Sequence, residues 1–221
     1  MATWRELERE PVRGLLLPLG SHEQHGPHLP LDTDTRVAVA VAAAAAGRLP
    51  GMLTLPAFPY GASGEHAGFP GTLSLGTAAL ATALVELVRS ADLLRAPVIV
   101  VNGHGGNHDA LRSAAATAVA EGRVMRVWAP PATGGDAHAG RTETSLMLAI
   151  AAETVGEERP VGATAPLREL WPALSSGRLR EVAPEGVLGD ARGASADEGR
   201  TLLARYTDDL VAKAEAWLTK P

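Results

Sequence analysis

The sequence predicts an α/β fold in which a mostly parallel sheet carries helices on both faces. Two observations predict it. Short apolar segments of strand length alternate along the chain with longer Ala-rich segments of helical character. In addition, 221 residues are enough to bury roughly 70–75% of the surface of the unfolded chain. No internal repeat or linker interrupts this alternation, so we expect a single domain over residues 1–221.

The first part of the chain predicts two strand–helix pairs. Residues 14–20 are apolar and bounded by glycine, as is typical of a buried strand. The Ala-rich residues 35–47 end at glycine and predict a closely packed helix. Residues 52–58 are compatible with a second strand. After the long Gly- and Pro-rich loop 59–75, apolar positions recur at a helical period over 77–95.

The same alternation continues in the second part of the chain. Residues 97–101 predict a buried strand, 108–121 an Ala-rich helix, 123–129 a further strand and 142–153 another helix. The repetition of strand and helix favours parallel strands joined by crossover helices.

Two stretches, 130–141 and 156–194, are irregular and rich in Gly and Pro. No element can be placed in the second of them. Ser195 and Glu198 then have the spacing of a capping box, which predicts a last helix that runs to about Leu218.

Composition excludes several classes of protein. The chain has no cysteine, which removes disulfides, thiolate metal sites, iron–sulfur clusters and cysteine nucleophiles. A net charge of −5 provides no general attraction to nucleic acids or anionic membranes. The longest run of small apolar residues, 37–46, is about half of a membrane span, and the first ten residues lack the apolar core of a secretory signal. We therefore expect a cytoplasmic protein with neither nucleic acid nor membrane as a partner.

Histidines and carboxylates follow the predicted strands. In parallel sheets, functional sites lie beyond the carboxyl ends of the strands, here after residues 20, 58, 101 and 129. Six of the seven histidines fall on these segments, near Glu and Asp residues. Imidazole and carboxylate together form the ligand set expected for zinc, iron(II) or manganese. The placement favours a metal site over a chance cluster of structural histidines.

Other readings of these segments are weaker. Residues 102–107 lack the Lys-Ser/Thr pair of a phosphate-binding loop. Neither Ser21 nor Ser145 lies in a Gly-x-Ser-x-Gly elbow, which disfavours a serine nucleophile. Asp32 has the position of a helix cap. The remaining histidines are expected to be supporting residues: His22, His28 and His108.

Four ordered motifs resemble those of the creatininase (creatinine amidohydrolase) family. They are Glu23-Gln-His25-Gly-Pro-His-Leu-Pro-Leu-Asp-Thr-Asp34, Gly64-Glu-His66 with Phe69-Pro-Gly-Thr72, Asn102-Gly-His104-Gly-Gly-Asn107 and His138-Ala-Gly-Arg-Thr-Glu143-Thr-Ser145. The resemblance runs from about residue 10 to the C-terminus. It implies a three-layer α/β fold, an amidohydrolase with two divalent metal ions per chain, and assembly into homo-oligomers.

The resemblance also implies roles for individual residues. The five positions that match the family's metal ligands are Glu23, His25, Asp34, His104 and Glu143. Asp34 would bridge the two ions, which are expected to be zinc or iron(II), with manganese as a third option. His138 matches a histidine that transfers protons. His66, Asn102 and Asn107 are candidates to orient ligands or bind substrate, and a structural role in their loops is equally open.

Further segments resemble the peptidases within this family: Tyr60-Gly-Ala-Ser-Gly-Glu-His66, Asp136–Gly140, Ala165–Leu170, Gly186–Asp190 and Glu198–Arg200. That resemblance implies a modified ribosomal precursor peptide as the substrate, cleaved near its C-terminus.

Two departures from creatininase itself bear on the substrate. Gly106 stands where that enzyme has a carboxylate, so Glu143 is expected to complete the second metal site. Residues 130–140 contain no Trp or Tyr, which disfavours creatinine. A creatinine or formamide amidohydrolase, or a non-catalytic relative, are the alternatives. A non-catalytic relative would be expected to lack a ligand, and none of the five is missing.

Overall fold

A four-stranded parallel sheet forms the centre of the computed structural model, which describes residues 2–131 and 135–219. The strands lie in the order β2-β1-β3-β4, and each neighbouring pair is parallel. Their bounds are β1 (Gly14–Leu19), β2 (Met52–Thr54), β3 (Val98–Asn102) and β4 (Met125–Trp128). The predicted parallel α/β architecture is confirmed.

Helices cover both faces of the sheet. In chain order they are α1 (Trp4–Arg9), α2 (Thr33–Ala46), α3 (Thr77–Ser90), α4 (His108–Ala120), α5 (Arg141–Ile150), α6 (Leu167–Leu174), α7 (Leu179–Val182) and α8 (Ala196–Leu218). The apolar core on one face joins α2, α5 and α8, and the core on the other joins α3 and α4. None of the helices in the described part of the chain combines the length and apolar character needed to cross a bilayer.

The strands are continuously apolar because both faces of the sheet are buried. On β1, Leu16 faces the core with α2 and α8, whereas Leu15 and Leu17 face α3 and α4. On β3, Ile99 and Val100 divide between the two faces in the same way. This alternation follows from the two-residue period of a strand and produces the expected three layers.

Element ends differ from the sequence prediction where local turns intervene. Strand β2 has three residues, and Phe58 reaches the sheet only through an isolated bridge to Leu19. The predicted helix 77–95 ends at Ser90 and is followed by a 3-10 turn. Residues 132–134 of the predicted loop 130–141 lie outside the described residues.

The stretch 156–194 contains two short helices that the sequence did not reveal. Helices α6 and α7 bury an apolar cluster that includes Leu170, Leu174 and Leu179. At the start of α8, the Ser195 side chain accepts a hydrogen bond from the main chain of Glu198, as predicted. The Glu198 carboxylate binds Arg141 and Ser145 rather than completing the capping box.

Helices α5 and α8 approach closely at Gly199. A Cβ atom at this position would overlap the main-chain oxygen of Ser145. We expect Gly199→Ala to destabilise the protein by about 1–3 kcal/mol, the usual cost of overpacking, although alanine favours helices more than glycine does.

The matched control is Gly47→Ala at the end of α2, where a Cβ atom meets only ordinary contacts at 3.6 Å and beyond. This variant should be neutral or slightly stabilising. Urea unfolding measures both free energies, and equal stability of the two variants would contradict the packing argument.

Candidate metal centre

Seven of the candidate side chains converge at the carboxyl edge of the sheet. Five of them follow a strand, as the sequence predicts: Glu23 and His25 after β1, His66 after β2, His104 after β3, and His138 after β4. Two more are held by helix starts, Asp34 as the second residue of α2 and Glu143 as the third of α5. Chain topology therefore brings together residues up to 120 positions apart in the sequence.

Glu23, Asp34 and His104 form a first buried cluster. His104 Nδ1 lies 3.2 Å from Glu23 Oε1 and 3.1 Å from Asp34 Oδ2. One ligand atom from each of these side chains lies within 4.8 Å of the other two. The arrangement suits one divalent cation that takes nitrogen and oxygen ligands.

A second cluster lies on the other side of Asp34. His25 Nε2 is 3.1 Å from Asp34 Oδ1 and 3.8 Å from Glu143 Oε2, and His138 belongs to the same group. The Glu143 carboxylate also accepts a hydrogen bond of 2.6 Å from the main chain of Ala139. Asp34 therefore directs one oxygen toward each cluster, as a bridging carboxylate does.

The donor set fits a bound cation. Glu23 is fully buried, and no hydrogen bond reaches either of its carboxylate oxygens or Asp34 Oδ2. Histidine rings lie close to these oxygens, with His104 Nδ1 at 3.1–3.2 Å. Because a buried carboxylate is costly without a positive charge beside it, the cluster calls for a cation. The negative charges of the carboxylates also act on the two ligand histidines. Burial opposes protonation of these rings, but the carboxylates outweigh it. They raise the pKa of His25 to about 10 and that of His104 well above its usual value.

His138 has the opposite electrostatic character. Burial, together with the charges of His25 and His66, lowers its pKa well below the usual value. The ring is therefore neutral near pH 7, and it must take up a proton before it can donate one. Its Nδ1 atom lies 3.7 Å from Glu23 Oε1, and its Nε2 atom lies 2.9 Å from the main-chain oxygen of Gln24.

Two candidate residues, Asn102 and Asn107, connect neighbouring loops by hydrogen bonds. Asn107 donates to the main-chain oxygen of Gly20 and to Asn102 Oδ1, and it accepts from the main chain of Ala62. Asn102 in turn donates 2.7 Å to the main-chain oxygen of His104. These bonds favour the structural alternative for both residues, and contact with a substrate stays a prediction.

The remaining histidines lie around the centre. His28 is buried and 2.8 Å from Thr144 Oγ1, and burial lowers its pKa to about 4. The ring of His22 lies 5.8 Å from that of Tyr60. His108 is largely exposed at the start of α4. Asp32 precedes α2 but binds Arg36 instead of capping the helix.

Sequence reasoning missed two residues of the centre. Glu65 Oε1 lies 3.3 Å from His104 Nε2, on the side of the ring away from Asp34. The carboxylate occupies the space beside Gly106. Gln24 contacts both His66 and His138. The available signals were the position of Glu65 beside His66 and the fact that Gln24 is the only glutamine of the chain.

Comparisons with known proteins agree with this geometry. The family model of creatininase, creatinine amidohydrolase, matches residues 1–214. The chain is 50% identical over 216 residues to the mycofactocin precursor peptide peptidase of Mycobacterium ulcerans (strain Agy99), with 94% of this chain and 86% of that protein covered. It is 32% identical over 239 residues to the creatinine amidohydrolase of Pseudomonas putida, with 91% and 89% covered.

Among solved structures, a mutant creatininase of zinc–zinc type superposes with a TM-score of 0.80 at 25% identity, and 99% of this chain and 97% of that chain are covered.

Gly106 leaves no room for a side chain. A Cβ atom there would overlap Glu65 and His104, and it would lie 2.6 Å from the main-chain oxygen of Ala62. Because the main chain cannot yield, we expect Gly106→Ala to displace the His104 ring and weaken zinc binding by about 10–100-fold, the range for disturbing groups around a ligand.

Gly105→Ala is the control, since no atom lies within 4 Å of a Cβ atom at that neighbouring position. Competition with a chromophoric chelator measures both affinities. Wild-type affinity in Gly106→Ala would show that the crowding has no effect on the centre.

Proposed function

The chain belongs to the creatininase family, and from that premise we propose that it hydrolyses the modified mycofactocin precursor peptide near its C-terminus. The product would be the fragment derived from the terminal Val-Tyr pair of the peptide. Two observations support the proposal: the 50% identity to a peptidase of that name and the convergence of the other four candidate ligands around Asp34. The second observation supports hydrolysis more directly, because it concerns the side chains of this protein and not the name of a relative.

We propose two divalent ions per chain, zinc or iron(II), with manganese as a third option. Glu23, Asp34 and His104 would hold one, and His25, Asp34 and Glu143 the other. When bound, such a pair of ions lowers the pKa of a shared water and polarises the carbonyl of the scissile amide. The buried carboxylate oxygens without hydrogen bonds support this assignment.

His138 would move the proton that hydrolysis requires. Water adds across the C–N bond, so the carbonyl carbon gains a hydroxyl group and the nitrogen gains a proton. An amine anion is a very poor leaving group, and a general acid at this point accelerates the step. His138 is neutral because of its lowered pKa, so it accepts the proton of the attacking water and then delivers it to the leaving nitrogen.

The remaining proposals rest on the family. The match over residues 1–214 supports a single creatininase-like domain. The resemblance supports a homo-oligomer, and the cytoplasm stays the proposed location. The identity of 32% to a creatinine amidohydrolase makes hydrolysis of creatinine, or of a formamide, the second candidate function. A non-catalytic role is disfavoured because the ligand set is complete.

The decisive experiment incubates the metal-loaded protein with the modified precursor peptide, the unmodified peptide or creatinine. We expect mass spectrometry to show the C-terminal fragment only with the modified peptide. Turnover of creatinine alone would overturn the proposed substrate and favour the second candidate.

Asp34→Ala should abolish loading of the metal pair while the chain remains folded, because both clusters lose their shared carboxylate. Metal analysis after dialysis against zinc, with circular dichroism as the check on folding, measures the effect. Asp32→Ala is the matched control, since its half-exposed carboxylate binds Arg36 outside the centre. Two ions per chain and full turnover in Asp34→Ala would eliminate the ligand assignment.

His138→Ala should retain its metal content and lose about 10²–10⁴-fold in the rate of peptide cleavage, the usual span for general acid–base catalysis. His108→Ala removes an exposed histidine and should cleave at the wild-type rate. A wild-type rate in His138→Ala would exclude that residue from the mechanism.

A further inference from the structure

The side chain of Gln24 is held in a single orientation by two main-chain groups. Its Oε1 atom accepts a hydrogen bond of 2.9 Å from the main-chain nitrogen of Gly26, and its Nε2 atom donates 3.1 Å to the main-chain oxygen of Gly186. A rotated amide would place two oxygens against each other at Gly186 and two N–H groups against each other at Gly26. The nitrogen end therefore faces the histidines of the centre.

Gly186 is the position that makes this contact available. It has a φ of 70°, in the left-handed region that favours glycine. A Cβ atom there would overlap the Gln24 amide. The segment around residue 186 is thus shaped to receive the side chain.

The orientation of Gln24 determines which nitrogen of His66 carries a proton. Gln24 Nε2 lies 2.8 Å from His66 Nδ1. An amide nitrogen only donates, so His66 Nδ1 must accept, and the neutral ring carries its proton on Nε2. The Nε2 atom lies 3.2 Å from Glu23 Oε1.

The main chain of Gln24 acts on His138 in the same manner. Gln24 Nε2 lies 3.1 Å from His138 Nε2, but its two amide hydrogens are engaged by His66 Nδ1 and the main-chain oxygen of Gly186. His138 Nε2 donates instead to the main-chain oxygen of Gln24 at 2.9 Å. His138 Nδ1 is left with a free lone pair on the side of Glu23.

We propose that Gln24 is a positioning residue that keeps His66 out of the metal ligand set by fixing its proton on Nε2. Glu23, His66 and His138 form a third buried group whose ligand atoms lie within 4.8 Å of one another. A protonated nitrogen cannot bind a metal ion, so the amide closes this group to cations and confines them to the two clusters that share Asp34. The inference rests on the metal pair of the proposed function but not on its substrate.

The proposal is tested by ¹⁵N NMR of the histidine rings in the zinc-loaded protein. We expect the Nε2–H tautomer for His66 in the wild type. In Gln24→Glu, a carboxylate accepts from Nδ1–H, frees Nε2 and creates the carboxylate–histidine pair that supports metal ligands. We expect this variant to show the Nδ1–H tautomer and to bind additional zinc, which the double variant Gln24→Glu/His66→Ala should lose.

Three controls keep the outcome interpretable. His66→Ala alone should leave the zinc content of the wild type unchanged. Gln24→Met removes the donor without supplying an acceptor, so His66 should show both tautomers and the gain in zinc should be smaller than in Gln24→Glu. Glu185→Gln changes one charge on an exposed residue beside Gly186 and should preserve the His66 tautomer.

An Nδ1–H tautomer of His66 in the wild type would overturn the proposal, as would loss of zinc in His66→Ala. Both measurements are independent of peptide cleavage. Failure of the proposed substrate therefore leaves this inference standing, and failure of this inference leaves the substrate assignment intact.

Discussion

The structure is organised around the burial of two carboxylates, Glu23 and Asp34, at one edge of a parallel sheet. Both are almost entirely enclosed, and oxygens of both lack hydrogen bonds within the described residues. In a protein interior such charges are tolerated only when they are paired or bind a cation. This pair is surrounded by histidines, by the amide of Gln24 and by the carboxylate of Glu65. The arrangement of the centre therefore follows from the need to compensate two buried negative charges.

The order of the strands brings the two carboxylates and the histidines to the same edge of the sheet. Strands β1 and β3 are neighbours, so the segments that follow them begin side by side. Helix α2 then starts directly over this edge and presents Asp34 in its first turn, where the positive end of the helix favours an anion. The candidate ligands therefore lie at the carboxyl edge of the sheet, in the loops and in the first turns of α2 and α5.

Much of this arrangement was predictable from the sequence because it depends on local patterns. Apolar runs such as 97–101 and the positions of His25 and His104 after strands required only periodicity and the topology rule for parallel sheets. Gln24, Glu65 and helix α6 were not predictable in that way. Their roles depend on contacts between distant segments, such as that of Gln24 with Gly186, and no local propensity encodes such a contact. The substrate likewise came from resemblance, since local patterns did not specify it.

The contact between Gln24 and Gly186 spans 162 positions of the chain, and the main chain of His138 pairs with Leu188. During synthesis the N-terminal part of a protein emerges and begins to fold first. All five candidate ligands are therefore made before the segment that orders their neighbours. A chain truncated before residue 186 would carry every candidate ligand and still lack the contact that orients Gln24, so selectivity for cations would be acquired late in synthesis.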